Sequence, residues 1–112
     1  MRAELADVRP SRIVVQPANR GTSAATIYAL MRIMRRDNEA TVGFFPADHY
    51  YADDAPFVSA AESAVQIVQE HAESLVLLGA DPQNAEVEYG WIERGKDLKS
   101  RLGHSVFRVN RF

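Results

Sequence analysis

The chain has 112 residues, which suits one domain rather than two. Hydrophobic residues make up 46% and charged residues 25%, values of a globular rather than a disordered chain, and the formal net charge of -2 lacks the basic excess of a broad nucleic-acid surface. With no cysteine, disulfides, thiolate metal sites and cysteine nucleophiles are excluded, and the composition fits a cytoplasmic protein. No apolar run approaches the ~20 residues that span a bilayer, so no membrane partner is expected.

In chain order, Leu5 and Val8 fit one face of a short helix in a charged segment that ends at Pro10. Ile13-Val14-Val15 is a β-branched run between Pro10 and Pro17 and predicts a buried strand. A turn-rich stretch, Gln16–Ser23, follows, with Thr22 or Ser23 as candidate cap of the next helix. That helix is predicted from about Ala24 to Arg36, with Ile27, Leu30, Met31 and Met34 as one apolar stripe. Arg32, Arg35 and Arg36 stand in its last turns, where positive charge suits the helix dipole.

Thr41–Phe45 predicts a second strand, stopped by Pro46 and followed by the loop Ala47–Tyr51. Asp53, Asp54 and Pro56 announce a second helix. Its buried face is expected on Phe57, Ala61, Ala64 and Val68, with Ile67 and His71 close by. Leu75–Leu78 predicts a third strand, ended by Gly79. Strand, helix, strand, helix, strand implies an α/β, Rossmann-like fold: a mostly parallel sheet with right-handed crossovers and helices on both faces. The segment from Asp81 onward differs, with turn residues, the aromatic pair Tyr89 and Trp91, and an alternating run at Val106–Val109 that predicts a strand.

In an open parallel sheet, ligands gather at the carboxyl ends of the strands. Three segments would meet there: Gln16–Ser23, Pro46–His49 and the turn at Gly79. Asp48 reads either as a turn cap or as a carboxylate holding a divalent cation against substrate phosphates. Gln16 carries a donor and an acceptor suited to a nucleobase edge, Gly21 lets a ligand approach the backbone, and Thr22 opens a helix; the same residues also make an ordinary capped loop. Arg20 reads as a phosphate ligand or a solvated cation. His49 lacks a partner at zinc-site spacing and reads as structural, His71 as a partly covered helix residue, and His104 as a loop residue. Glu88–Glu93 combines aromatic rings, Gly90 and a carboxylate, which suits either sugar recognition or a β-turn completing a small core. The sequence shows no recognisable nucleophile-triad motif and no phosphate-binding loop of the GxxxxGK[ST] kind.

Three of these segments, in order and spacing, resemble the sugar-1-phosphate nucleotidyltransferases, and among them the bacterial mannose-1-phosphate guanylyltransferases. Gln16-Pro17-Ala18-Asn19-Arg20-Gly21-Thr22 resembles the family's base-recognition loop. Phe45-Pro46-Ala47-Asp48-His49 resembles its strand-end motif with a metal-binding aspartate. Tyr89-Gly90-Trp91-Ile92-Glu93 resembles its sugar-binding turn, with Trp91 where tyrosine is usual. The resemblance implies a nucleotide-diphospho-sugar transferase fold and a reaction that forms GDP-mannose and pyrophosphate from GTP and mannose 1-phosphate. It implies Gln16, Asn19, Arg20, Gly21 and Thr22 as nucleotide-binding residues, with Gln16 and Gly21 at the base. It makes Asp48 the catalytic residue and the ligand of Mg²⁺, and Tyr89, Gly90 and Glu93 the sugar-binding residues.

The family also carries a glycine-rich triphosphate loop ahead of the first motif, and nothing of that kind precedes Ile13. A Glu-Lys-Pro segment and a second metal-binding aspartate, which follow in the family, are absent as well. The expectation is therefore one partial nucleotidyltransferase domain over residues 1–112, from a truncated or partial reading frame with Met1 as an internal start. Two functions follow: a guanylyltransferase or a piece of one, and a non-catalytic nucleotide- or sugar-phosphate-binding remnant. An uncovered edge beside Ile13–Val15 makes a homo-oligomer the expected alternative to a marginally stable monomer.

Overall fold

The computed structural model describes residues 6–85, 87–99 and 103–112. The chain divides into two compact units, Met1–Pro46 and Ala47–Phe112. In the first, a 3-10 turn spans Pro10–Arg12. Pro10 sits at its first position, where a fixed φ helps and a missing N–H costs nothing. The amides of Arg12 and Ile13 bond back to the carbonyls of Arg9 and Pro10 at 2.8 and 3.1 Å. Of the pair expected on a short helix, Leu5 lies outside the described residues and Val8 is half-buried ahead of this turn.

Helix α1 spans Thr22–Met34, within two residues of its predicted bounds. Its N-cap is Gly21, not Thr22 or Ser23, which instead form its first turn. Gly21 has φ 84° and ψ 173°, a region that residues with a Cβ enter only under strain, so the sharp entry selects glycine over a hydroxyl cap. The covered face is turned by one residue from the predicted stripe. Thr26, Ala29, Leu30 and Ile33 are half-buried, whereas Ile27, Met31 and Met34 are exposed.

In the second unit, helix α2 spans Asp54–Glu70. Asp53 is its N-cap, accepting a hydrogen bond from the Ala55 amide at 3.0 Å, and Asp54 places negative charge in the first turn. Phe57, Ala61, Ala64, Ile67 and Val68 are half-buried as predicted, while His71 is the exposed C-cap. Ser63, at the middle of this face, is buried, and its hydroxyl donates to the Ser59 carbonyl at 3.1 Å. The Asp53→Ala variant is expected to lose about 1 kcal/mol of α2 stability. Far-UV ellipticity at rising temperature checks this, and a curve identical to the parent's would show that the cap contributes nothing.

Strands β1 (Glu93–Asp97) and β2 (Phe107–Arg111) form an antiparallel pair, the one sheet among the described residues. Glu93 faces Arg111, Arg94 faces Val109 and Asp97 faces Phe107, with register irregularities on either side of Arg94. The predicted strand at Val106–Val109 thus exists, shifted toward Arg111. The Arg94 guanidinium lies 5.2 Å from the centre of the Phe107 ring, tying the strands together on one face.

The predicted mostly parallel sheet is where sequence and structure part. Ile13–Val15, Thr41–Phe45 and Leu75–Leu78 are not paired into strands. Apolar β-branched composition supplies only a preference; a strand also needs a neighbour about 4.8 Å away to take its amides and carbonyls. Two of the three segments belong to the first unit and one to the second, and a lone two-stranded pair is marginal in water. Accordingly Val15 is 74% exposed and Leu75 96%. Among the described residues no hydrophobic side chain is fully buried.

Candidate functional site

The loop resembling the base-recognition segment lies in the first unit and leads into α1. Gln16 is half-buried at its start; Asn19, Arg20, Gly21 and Thr22 are exposed. The side-chain oxygen of Asn19 accepts a hydrogen bond from the Gly21 amide at 3.0 Å. The Gly21 carbonyl in turn accepts from the Ala25 amide at 3.2 Å, which starts the helix. A Cβ added at Gly21 would meet nothing within 4 Å, so a clear space lies beside the backbone there. No side chain caps α1, which leaves its first-turn amides without a side-chain acceptor. Arg20 has no ion-pair partner among the described residues.

Asp48 and the sugar-type turn belong to the second unit. Asp48 is exposed in the turn that follows Pro46 and has no hydrogen-bond or ion-pair partner among the described residues. The loop after it is held by rings: His49 meets Tyr51 edge-on at 6.5 Å, and Tyr51 stacks on Phe57 of α2 at 4.2 Å. The structural reading of His49 thus has a contact behind it. Among the described residues no cluster of three or more acidic or histidine side chains could enclose a metal ion. A single free carboxylate suits Mg²⁺ only in the mode in which the ion keeps several waters and takes its other ligands from substrate phosphates.

Tyr89 is exposed, and nothing lies within 4 Å of a Cβ built at Gly90. Glu93 opens β1, and its carboxylate accepts hydrogen bonds from the Asn110 side-chain amide and, at 2.5 Å, from Nε of Arg111. Trp91, Ile92, Glu93, Arg111 and Phe112 line an open depression of about 390 Å³. Its lining combines apolar side chains with the Glu93–Arg111 ion pair, while Tyr89 and Gly90 are not part of it.

Asn110 and Arg111 were not candidates from sequence. The pairing that brings them to Glu93 depends on β1, whose residues Glu93-Arg94-Gly95-Lys96-Asp97 carry no strand signature. His104, predicted on a loop, is half-buried and contacts the Ser59 hydroxyl of α2 through Nε2 at 2.9 Å. No periodicity links residues 45 apart, and only the fold reveals that contact.

The chain belongs to the nucleotidyl transferase family, whose model matches residues 4–112. That membership implies the nucleotide-diphospho-sugar transferase fold. Named relatives are similar to it over most of its length. It is 32% identical over 104 residues to a mannose-1-phosphate guanylyltransferase of Escherichia coli, covering 91% of this chain and 22% of that protein. It is 30% identical over 102 residues to the mannose-1-phosphate guanylyltransferase of E. coli K12, covering 89% and 21%. It is 31% identical over 105 residues to the xanthan biosynthesis protein XanB of Xanthomonas campestris pv. campestris, covering 94% and 21%. The chain thus spans about a fifth of the length of the curated relatives it matches. No solved structure matches it. No helix among the described residues is long and apolar enough to cross a membrane.

Proposed function

We propose that this chain forms the base-, sugar- and first-metal-recognising portion of a cytoplasmic mannose-1-phosphate guanylyltransferase. The observation that carries the reading is the family match across residues 4–112, within which the three motifs stand in order. In this reading the first motif, Gln16–Thr22, directly follows the apolar run Ile13–Val15, and the second, Phe45–His49, closes the run Thr41–Phe45.

The reaction joins a phosphate oxygen of mannose 1-phosphate to the α-phosphorus of GTP. The bond from that phosphorus to the bridging oxygen breaks, and pyrophosphate leaves with its electron pair. Such a transfer relies on placement and charge neutralisation rather than covalent help. Gln16 reads the base edge, Arg20 meets phosphate charge, and Gly21 with Thr22 gives clearance beside the nucleotide. Asp48 holds Mg²⁺, which offsets negative charge on the phosphates. Tyr89 and Gly90 border the sugar, and Glu93 accepts from its hydroxyls while Arg111 fixes the carboxylate's orientation.

Calorimetric titration of the chain with GTP and with mannose 1-phosphate, with and without Mg²⁺, tests the assignment. Binding of both ligands, with GTP affinity raised by Mg²⁺, is the expected result; binding of neither overturns it. A pyrophosphate-release assay on the same samples separates the two functions: release marks a catalytic chain, and binding without release marks a recognition module.

A further inference from the structure

In the loop before α1, the exposed side chain of Asn19 turns back onto the loop's own backbone. Asn19 spends its side-chain oxygen on the Gly21 amide, two residues ahead, at 3.0 Å. The same two-residue geometry occurs at Asp53, whose oxygen accepts from Ala55, also at 3.0 Å. The consequences differ. Asp53 is the N-cap of α2, so its bond satisfies a helix amide. Asn19 stands two residues before the N-cap of α1, so its bond satisfies no amide of the helix. It holds Gly21 itself.

Gly21 needs holding. Its φ of 84° with ψ of 173° lies where glycine is the residue that rests without strain, and glycine is also the residue with the most alternative conformations to lose. A side-chain oxygen closing a turn onto its amide removes most of that freedom. Both main-chain polar groups of Gly21 are then engaged, the N–H by Asn19 and the carbonyl by the Ala25 amide. What Gly21 presents outward is clearance, since a Cβ there would meet nothing within 4 Å.

We infer that Asn19 is a positioning residue: it fixes Gly21 in its positive-φ conformation, and it serves the nucleotide through that residue rather than by its own contact. The nucleotide part of this inference rests on the function proposed above; the loop part does not. The chemistry makes a specific pattern. An aspartate at position 19 offers an oxygen at the same reach and rebuilds the turn, and a serine, whose hydroxyl is one bond shorter, rebuilds it more weakly. A glutamine keeps the amide, and with it any direct contact to a base, but carries the oxygen one methylene too far. Alanine has neither.

The test compares Asn19→Asp, Asn19→Ser, Asn19→Gln and Asn19→Ala by two readouts. Millisecond hydrogen exchange at the Gly21 amide, read by mass spectrometry without nucleotide, reports the turn. GTP affinity in Mg²⁺ reports the ligand. Exchange at Gly21 is expected to accelerate in the Gln and Ala variants and to be rescued in the Asp variant and partly in the Ser variant. GTP affinity is expected to fall about fivefold in Gln and Ala, the usual net worth of one hydrogen bond, with partial rescue by Ser. Affinity retained by Gln and lost in Ser would overturn the inference, because the amide would then be touching the base. A drop of helical ellipticity in the Ala variant alone would also overturn it, because Asn19 would then be acting as a cap of α1. If the parent chain binds no GTP, the exchange pattern still decides the loop role, and the proposed function is what fails.

Discussion

Heated at micromolar concentration, the chain is expected to unfold over a broad range rather than in one sharp step. Its van't Hoff enthalpy should stay below half of the roughly 80 kcal/mol that a cooperative domain of this length shows. The cause is the distribution of apolar surface. No hydrophobic side chain among the described residues is fully buried, and Val15, Leu75 and Val87 are 74%, 96% and 92% exposed. Cooperativity comes from side chains that share one closed core, since each then depends on the rest. Here α2 gathers Phe57, Ala61, Ala64 and Val68 around Ser63, while Ile27, Met31 and Met34 of α1 stay in water.

Exposed β-branched segments also seek partners. The same samples should therefore bind an apolar-surface dye and sediment as species heavier than one chain. A sharp two-state transition from a monomer that binds no dye would refute this expectation. A second, cleaner check follows from position: Val14→Lys and Leu77→Lys place charge on the segments that seek pairing and should reduce self-association without changing helical ellipticity. Both residues lie outside the helices and are at least 40% exposed.

What could be read from the sequence depended on how local the governing physics was. Helix α1 and helix α2 are legible because the spacing of Ile27, Leu30, Met31 and Met34, or of Phe57, Ala61, Ala64 and Val68, is an internal property of each segment. The start of α2 was legible because Asp53 caps it through its own neighbour two residues on. The rotation of the covered face of α1 was not legible, since Ile27–Met34 offers two adjacent apolar stripes and packing chooses between them. The sheet was not legible from Ile13–Val15 or Leu75–Leu78 because pairing is decided by a partner strand, not by the segment. β1 fails in the opposite sense: Glu93-Arg94-Gly95-Lys96-Asp97 is a poor strand on its own, yet it pairs with Phe107–Arg111. For the site, the motifs named Gln16, Asp48 and Glu93 at once, whereas Arg111 and Asn110 become visible only when that hairpin closes.

The Asp48→Ala variant is expected to abolish the Mg²⁺-dependent part of GTP affinity, a loss of at least about tenfold, or ~1.4 kcal/mol. Most substitutions of a buried or paired acid confound ligand loss with unfolding. Asp48 avoids that confusion: it is exposed and has no partner among the described residues, so its removal should change stability by no more than about 0.5 kcal/mol. Asp53→Ala supplies the converse control. It removes a helix cap and should lower α2 content while leaving the Mg²⁺ effect on GTP in place. The two aspartates stand five positions apart and read alike in composition, yet the structure gives one a backbone partner and leaves the other free to meet a cation. The outcome distinguishes them sharply. If Asp48→Ala keeps the full Mg²⁺ effect, the single-carboxylate ligand role is wrong. If Asp53→Ala loses it instead, the cation sits at the start of α2, and the resemblance of Phe45–His49 to a metal-binding motif carries no chemistry in this chain.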